Sequence, residues 1–455
     1  MRSLLIRGGR VIDPARRMNE IGNLFISNGK VLWIDSVEAT PSHRYYDVLD
    51  AKGMVVCPGF IDLHCHLRQP GYEDKETIAT GTAAAAKGGF TTVCCMPNTN
   101  PSLDNPATID FVKSVAESEG VVRVLPIGCI TKGRKGEELA DLKALASAGV
   151  VGFSDDGSPV INSDLMRLAM EQSRALGLPI IDHCEASPLT RGGVMNEGAI
   201  SARLGLRGMP AAAEEIMVAR DLMLAEQTGA HIHIAHVSVE GSVELIRQAK
   251  DRGKRVKATA EVTPHHLTLT DEEVIKHGTN AKVNPPLRTK RDTEVLIRGL
   301  RENLIDAIAT DHAPHTQADK SGDITEADFG MSGFETALGT LMSLVHTRQL
   351  RLCVLISRLT CEPAKIIGDK YGKLGTITVD TPADVTVFDP NMSWVVDPAS
   401  FVSKGKNTPL AGATLKGKVM ATIYQGNLVY KDDSIKFGMP GEQITTGVKE
   451  GLRPS

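Results

Sequence analysis

No stretch of about 18 consecutive apolar residues, the length of a helix that spans a bilayer, occurs in the 455 residues, so no membrane-spanning segment is expected. A lysine/arginine block is absent as well. The 51 basic residues stand against 55 acidic ones, for a net charge of −4, and neither nucleic acid nor an anionic membrane surface is favoured as a partner. Cysteine is sparse. Eight in a chain of this length are too few for a disulfide scaffold, and Cys94 and Cys95 sit side by side in an apolar run. Reduced, mostly buried thiols in a cytoplasmic protein are therefore expected. The opening "MRSLLIRGGRVIDP" is broken by arginine and glycine too early to read as a secretory signal.

Hydrophobic residues make up 42% and charged residues 23%, which is the composition of an ordinary globular protein. The length predicts two or three domains, or one large barrel with an appendage. "LLIRGGRVIDP" and "NLFISNGKVLWID", near the start, both read as strand–turn–strand, with Gly-Gly and Asn-Gly at the turns. "GTITVDTPADVTVFDP" and "KVMATIYQGNLVYKD", near the end, look alike. The expectation is one small β-sandwich domain built from both termini, 1–55 plus 370–455, around a barrel at 56–369.

The middle alternates. Apolar, β-branched runs fall at 59–66, 91–98, 123–130, 150–156, 179–185, 231–238, 256–267 and 307–314. Helical patterns separate them, among them "NSDLMRLAMEQSRALG" and "AAAEEIMVARDLMLAEQTG", each ending in glycine. Alternation argues for a parallel sheet, and eight repeats argue for an α/β fold of the (β/α)8 TIM-like barrel type, with its site at the C-terminal ends of the strands. A doubly wound open sheet is the alternative, but its Gly-rich phosphate turn after the first strand is missing.

Polar residues gather at those strand ends. The first run ends in His64 and His66, the fourth in Asp155 and Asp156, the fifth in His183, the sixth in His236, and the eighth in Asp311, His312 and His315. Strand ends of a barrel converge on one mouth, so His64 and Asp311, 247 positions apart, can meet there. A histidine or an Asp-Asp-Gly turn taken singly has an ordinary structural reading. His231 and His233, early in their strand, are read as core histidines. Four histidines and two carboxylates together would be costly to bury unpaired. Imidazole and carboxylate without thiolate suit a catalytic zinc or a similar divalent ion. Cys65 points to the opposite strand face from His64 and His66. Arg68 follows on the loop, placed to meet an anionic substrate.

The order HxH, carboxylate, His, His, Asp on eight strands resembles the amidohydrolase superfamily. "GFIDLHCHLRQPG", "MPNT", "FSDDG", "DHCE", "KVNPPLR" and "ATDHAPH" together resemble the class I dihydroorotases of bacteria, over essentially the whole chain. The resemblance implies two zinc ions per subunit. His64 and His66 would bind the first and His183 and His236 the second, with Asp311 completing the first site and acting as general base. Asp156, with a hydroxide, would bridge the ions where most of the superfamily uses a carboxylated lysine. Pleat alternation allows only one of Asp155 and Asp156 to face the mouth without saying which, and the family's spacing to His183 favours Asp156. Arg68, Asn98 and His315 resemble groups that hold a substrate carboxylate, Asn284 one that meets the ring, and Phe329-Gly330 the substrate-covering segment. The implied activity is reversible opening of dihydroorotate to N-carbamoyl-L-aspartate in pyrimidine biosynthesis, by a cytoplasmic homo-oligomer that can associate with aspartate carbamoyltransferase. The rival readings are another cyclic amidohydrolase (allantoinase, hydantoinase or dihydropyrimidinase) and an inactive scaffold for that transferase. All six ligand candidates are present, which speaks against the scaffold.

Overall fold

The computed structural model describes residues 3–41 and 45–439; the last residues assigned to the terminal β domain, 440–455, lie outside them. Five parallel ladders and three isolated bridges close the central residues into a ring. The ladders join Phe60–Cys65 to Phe90–Cys95 and Arg123–Pro126, and Ile180–Asp182 to His231–Ile234, Lys257–Val262 and Ala307–Ile308. Phe153 bridges Gly128 on one side and Ile180 on the other, and Cys65 bridges His312. The helices Ile78–Lys87, Ser163–Leu176, Ala212–Thr228 and Glu240–Asp251 lie where the helical patterns fall. Left-handed Gly177 and Gly229 stop the second and third of these.

Two strands are shorter than the apolar runs. Residues 150–156 form no regular strand, and the eighth strand ends at Ile308. In both places an aspartate side chain replaces a ladder carbonyl. Asp155 Oδ1 accepts the amides of Ile130 and Thr131 at 2.9 and 3.1 Å. Asp62 accepts the Thr310 amide at 2.8 Å and its hydroxyl at 2.6 Å. The seventh run is a strand only to Val262; Pro264–Thr268 turns into a short helix capped by the Thr263 hydroxyl.

The termini share one nine-stranded sheet, in which Val55–Pro58 lies between Ser3–Asp13 and Val385–Val395. Gly8-Gly9 is not a turn, as its sequence suggests, but a bulge inside the continuous strand Ser3–Asp13. Gly8 takes φ +69° there, a conformation that costs glycine little. At the bulge the strand changes partner, from Tyr46–Asp50 to Val55–Pro58, which bends the sheet around a core of Leu4, Ile6, Leu24, Val385, Val387 and Met420. "GTITV" forms no strand either: Thr376 and Ile377 are tied to Asp13 instead, at 2.7 and 2.8 Å.

Barrel and sheet meet over aromatic rings. Phe60, at the base of the first barrel strand, lies 5.7 Å from Phe90 and 6.4 Å from Phe388 of the sheet (ring centroids). Arg123 pairs with Asp384 across the same junction at 2.9 Å. Because Phe60 is fully buried, Phe60→Ala should cost about 3–5 kcal/mol. Urea denaturation checks this, and a cost below about 1 kcal/mol would mean that the junction closes over the cavity.

Candidate active site

Asp156 lies at the centre of the barrel mouth. Its Oδ1 is 3.3 Å from His64 Nε2, 3.6 Å from His236 Nε2 and 3.7 Å from His183 Nδ1, and its Oδ2 is 3.7 Å from His66 Nε2. Asp311 Oδ1 is 3.0 Å from His66 Nε2 and 3.7 Å from His64 Nε2. All six residues are buried. Asp155 faces away, held by the third-strand loop. Cys65 also turns outward, into the layer between barrel and helices.

The outer nitrogens of three of these rings rest on oxygen acceptors. His64 Nδ1 meets Glu261 Oε1 at 2.8 Å, His66 Nδ1 meets Asn98 Oδ1 at 2.9 Å, and His183 Nε2 meets Glu185 Oε2 at 2.9 Å. With the outer nitrogen donating, the inner nitrogen presents its lone pair to the centre, the arrangement that orients metal-binding histidines. His64 Nε2 and Asp156 Oδ1 are buried, face each other, and make no hydrogen bond. With Nε2 unprotonated, this pair of buried acceptors fits a cation between them. His64, His66 and Asp311 form one group with ligand atoms within 4.8 Å of one another, and His64, Asp156 and His236 form a second.

Electrostatics agree with that geometry. Burial would raise Asp156 and Asp311, but the surrounding imidazoles hold both well below the usual carboxylate range. Burial pulls His64 down, yet Asp156 and Glu261 lift it well above an ordinary imidazole. The mouth therefore carries two ionised carboxylates and calls for positive charge among the rings.

A cavity of about 360 Å³ opens over this cluster, and Arg68, Asn98, Asn284, His315, Phe329 and Gly330 all line it. Arg68 Nη2 lies 3.1 Å from His315 Nε2, and its Nε donates to the Pro314 carbonyl at 3.2 Å. Burial and the nearby cations Arg68 and Lys75 push His315 down to about 4, against Asp328, so its ring is neutral at neutral pH. Asn284 donates to Glu185 at 2.7 Å. Gly330 has φ +135°, and a Cβ there would lie 2.7 Å from that of Ala313, so this wall of the cavity accepts only glycine. Three site residues hold left-handed backbone: Arg68 at φ +62°, His236 at +31° and Asp311 at +46°. Such strain costs on the order of 1–3 kcal/mol each and collects at functional sites.

Sequence reasoning missed several participants. Glu261 anchors His64 and, through Oε2, His233 at 3.1 Å, so His233 is tied to the mouth through a carboxylate. Its signal was a charge inside the apolar seventh strand, "ATAEV". Glu185 stood in a quoted motif without a role. Tyr72, Lys75, Arg134 and Asp328 also line the cavity, from loops whose positions no periodicity reveals.

The fold is that of cyclic amidohydrolases of known structure. The L-hydantoinase (dihydropyrimidinase) of Arthrobacter aurescens superposes with a TM-score of 0.83 at 24% identity, over 95% of this chain and 96% of that one. The dihydropyrimidinase of Brevibacillus agri superposes with a TM-score of 0.80 at 22% identity, over 94% and 95%. Barrel, composite sheet and a mouth of imidazoles and carboxylates place the chain in that fold class, with donors of the kind that hold metal ions. A dihydro-orotase-like family model matches residues 53–242. The dihydroorotase of Pelotomaculum thermopropionicum is 51% identical over 434 residues, 95% of this chain and 100% of the relative, and that of Aquifex aeolicus 48% identical over 433 residues, 95% and 100%. The chain belongs to the dihydroorotase family. Among the described residues no helix is long and apolar enough to cross a membrane.

Proposed function

We propose that this chain opens the cyclic amide of (S)-dihydroorotate to N-carbamoyl-L-aspartate and, in the reverse direction, closes that ring for pyrimidine biosynthesis. The observation that carries the reading is a single cavity with the His/Asp cluster at its floor and Arg68, Asn98 and His315 in its wall. His64, His66 and Asp311 would hold one zinc ion and His183 and His236 a second, with Asp156 between them. Bound there, such ions supply Lewis-acid polarisation of the amide carbonyl and make water acidic enough to attack at neutral pH. Asp311, ionised, accepts the proton of the attacking water and passes it to the departing ring nitrogen. Arg68 holds the substrate carboxylate in a bidentate, charge-assisted pair. Asn98 and neutral His315 complete that grip, Asn284 meets the ring, and Phe329-Gly330 covers it.

The experiment is an assay of purified protein on dihydroorotate beside dihydrouracil, hydantoin and allantoin, repeated with Arg68→Met. A hydrogen bond between charged groups contributes about 1.5–3 kcal/mol, or roughly 10–10²-fold in kcat/KM. Arg68→Met should lose at least that on dihydroorotate, keep its metal, and leave any activity on dihydrouracil little changed, because that ring carries no carboxylate. An equal fall on both substrates would show that Arg68 only supports the loop. Faster turnover of hydantoin or allantoin by the unaltered protein would replace the assignment.

The same proposal includes the division into a composite β domain, 1–55 with 370–455, and a barrel at 56–369; the strand Val55–Pro58 supports carrying the first part on to Pro58. Eight unpaired cysteines, seven of them buried, support a cytoplasmic setting. Homo-oligomerisation and association with aspartate carbamoyltransferase belong to the proposal too. Ile216 and Met223, 54% and 65% exposed on one face of the helix Ala212–Thr228, supply apolar surface for such contacts.

A further inference from the structure

A second cavity, of about 710 Å³, shares His315 with the first as a common wall. The proposed reaction makes no use of it. Lys320, Lys404 and Lys406 line it, against one carboxylate, Asp74. Each ammonium rests on backbone carbonyls: Lys404 on Glu73, Lys406 on Phe401 and Ser403 at 2.5 and 2.7 Å, and Lys320 on Asp328, Gly330 and Lys282 at 2.6, 3.1 and 3.3 Å. Among the described residues none of the three forms an ion pair. Carbonyl dipoles solvate the ammoniums of Lys404 and Lys406 but leave their charge uncancelled, so the cavity concentrates positive potential. Asn280 and Gln317 add side-chain amides, and Thr316 and Ser321 hydroxyls that donate to Asp319 and the Ala318 carbonyl and can accept a further hydrogen bond.

We propose that this cavity binds a phosphate-bearing small molecule of nucleotide size, which acts as an effector of the adjacent active site. Lysines bind phosphate as compact point charges. The volume lies within the range of small-molecule sites, roughly 300–1,000 Å³, and the amides and hydroxyls exceed what a bare phosphate ion would need.

Coupling follows from shared supports. Asn407 lines the second cavity, donates to the Ala313 and Gly330 carbonyls at 3.1 and 3.0 Å, and accepts the His315 amide at 3.0 Å. Lys320 grips Asp328 and Gly330, the residues on either side of Phe329. An occupant that touches Lys320 and Asn407 thus acts on the backbone that carries His315 and Phe329 in the active-site wall. Burial and neighbouring Lys282 push Lys320 down to about 7; a nearby anion would favour the charged form.

The test is isothermal titration calorimetry of metal-loaded protein with the four common ribonucleoside monophosphates and with inorganic phosphate, on wild type and on Lys404→Gln/Lys406→Gln. At least one nucleotide should bind saturably, at least tenfold more tightly than inorganic phosphate and at least tenfold more weakly to the double variant. It should shift KM several-fold in wild type and not in the variant, whose kcat without nucleotide stays normal. No saturable binding to wild type, or equal binding to the variant, would overturn the site. Equal affinity for inorganic phosphate would overturn a nucleotide-sized occupant, and binding without a change in KM or kcat would overturn the effector role.

Discussion

Asp311→Asn should open dihydroorotate at no more than about a hundredth of the wild-type rate, with KM changed far less. The substitution keeps the shape of the side chain and removes the group proposed to accept a proton. General-base contributions are typically about 10²–10⁴-fold, and the loss of a cation ligand adds to that. Asp311 is 3.0 Å from His66, ionised, and held at a strained φ of +46°, three residues beyond the eighth strand. Steady-state kinetics in the ring-opening direction, with metal content measured on the same preparation, separate the two losses. Near-normal kcat would remove Asp311 from the chemistry.

Asp156→Ala should lower both metal content and activity, the latter by more than about 10²-fold. Exchanging a residue that merely orients a ligand already costs roughly 10–100-fold, and Asp156 faces four imidazoles within 3.7 Å. Without it, the buried nitrogens would lose the charge proposed to hold a cation among them. A companion measurement uses the unaltered protein: metal-free enzyme should regain activity when zinc is returned in the absence of bicarbonate, because an aspartate stands where a carboxylated lysine would need carbon dioxide. Dependence on bicarbonate would move the bridging role elsewhere.

Much of the site was legible before folding because period and position in a strand are local facts. His64 and His66, two residues apart, share one strand face, and both inner nitrogens reach the same centre. The ends of the first, fifth, sixth and eighth runs deliver His66, His183, His236 and Asp311 to one mouth, as a ring of parallel strands requires. Local pattern misled where backbone partners are chosen at a distance. Gly8-Gly9 has the composition of a turn, but the strand runs through it, because its two halves pair with different neighbours. The fourth run has the composition of a strand, yet Asp155 takes the amides that a ladder would have used. "GTITV" has the composition of a strand too, and Asp13, far away in sequence, captures its backbone.

By itself, then, the sequence determined the alternation of strands and helices, the kind of donor at each strand end, and the absence of thiolate among them, since each of these depends only on residue type and spacing along the chain. Tertiary structure decided which of two adjacent aspartates faces the barrel mouth, because the amides of Ile130 and Thr131 hold Asp155 and leave Asp156 to it. It also decided that Glu261 orients His64 across 197 positions of chain, and that Asn407 and Lys320 support one wall from behind. Such pairings are set by where loops and strands come to lie in space, and no repeat in the sequence carries that information.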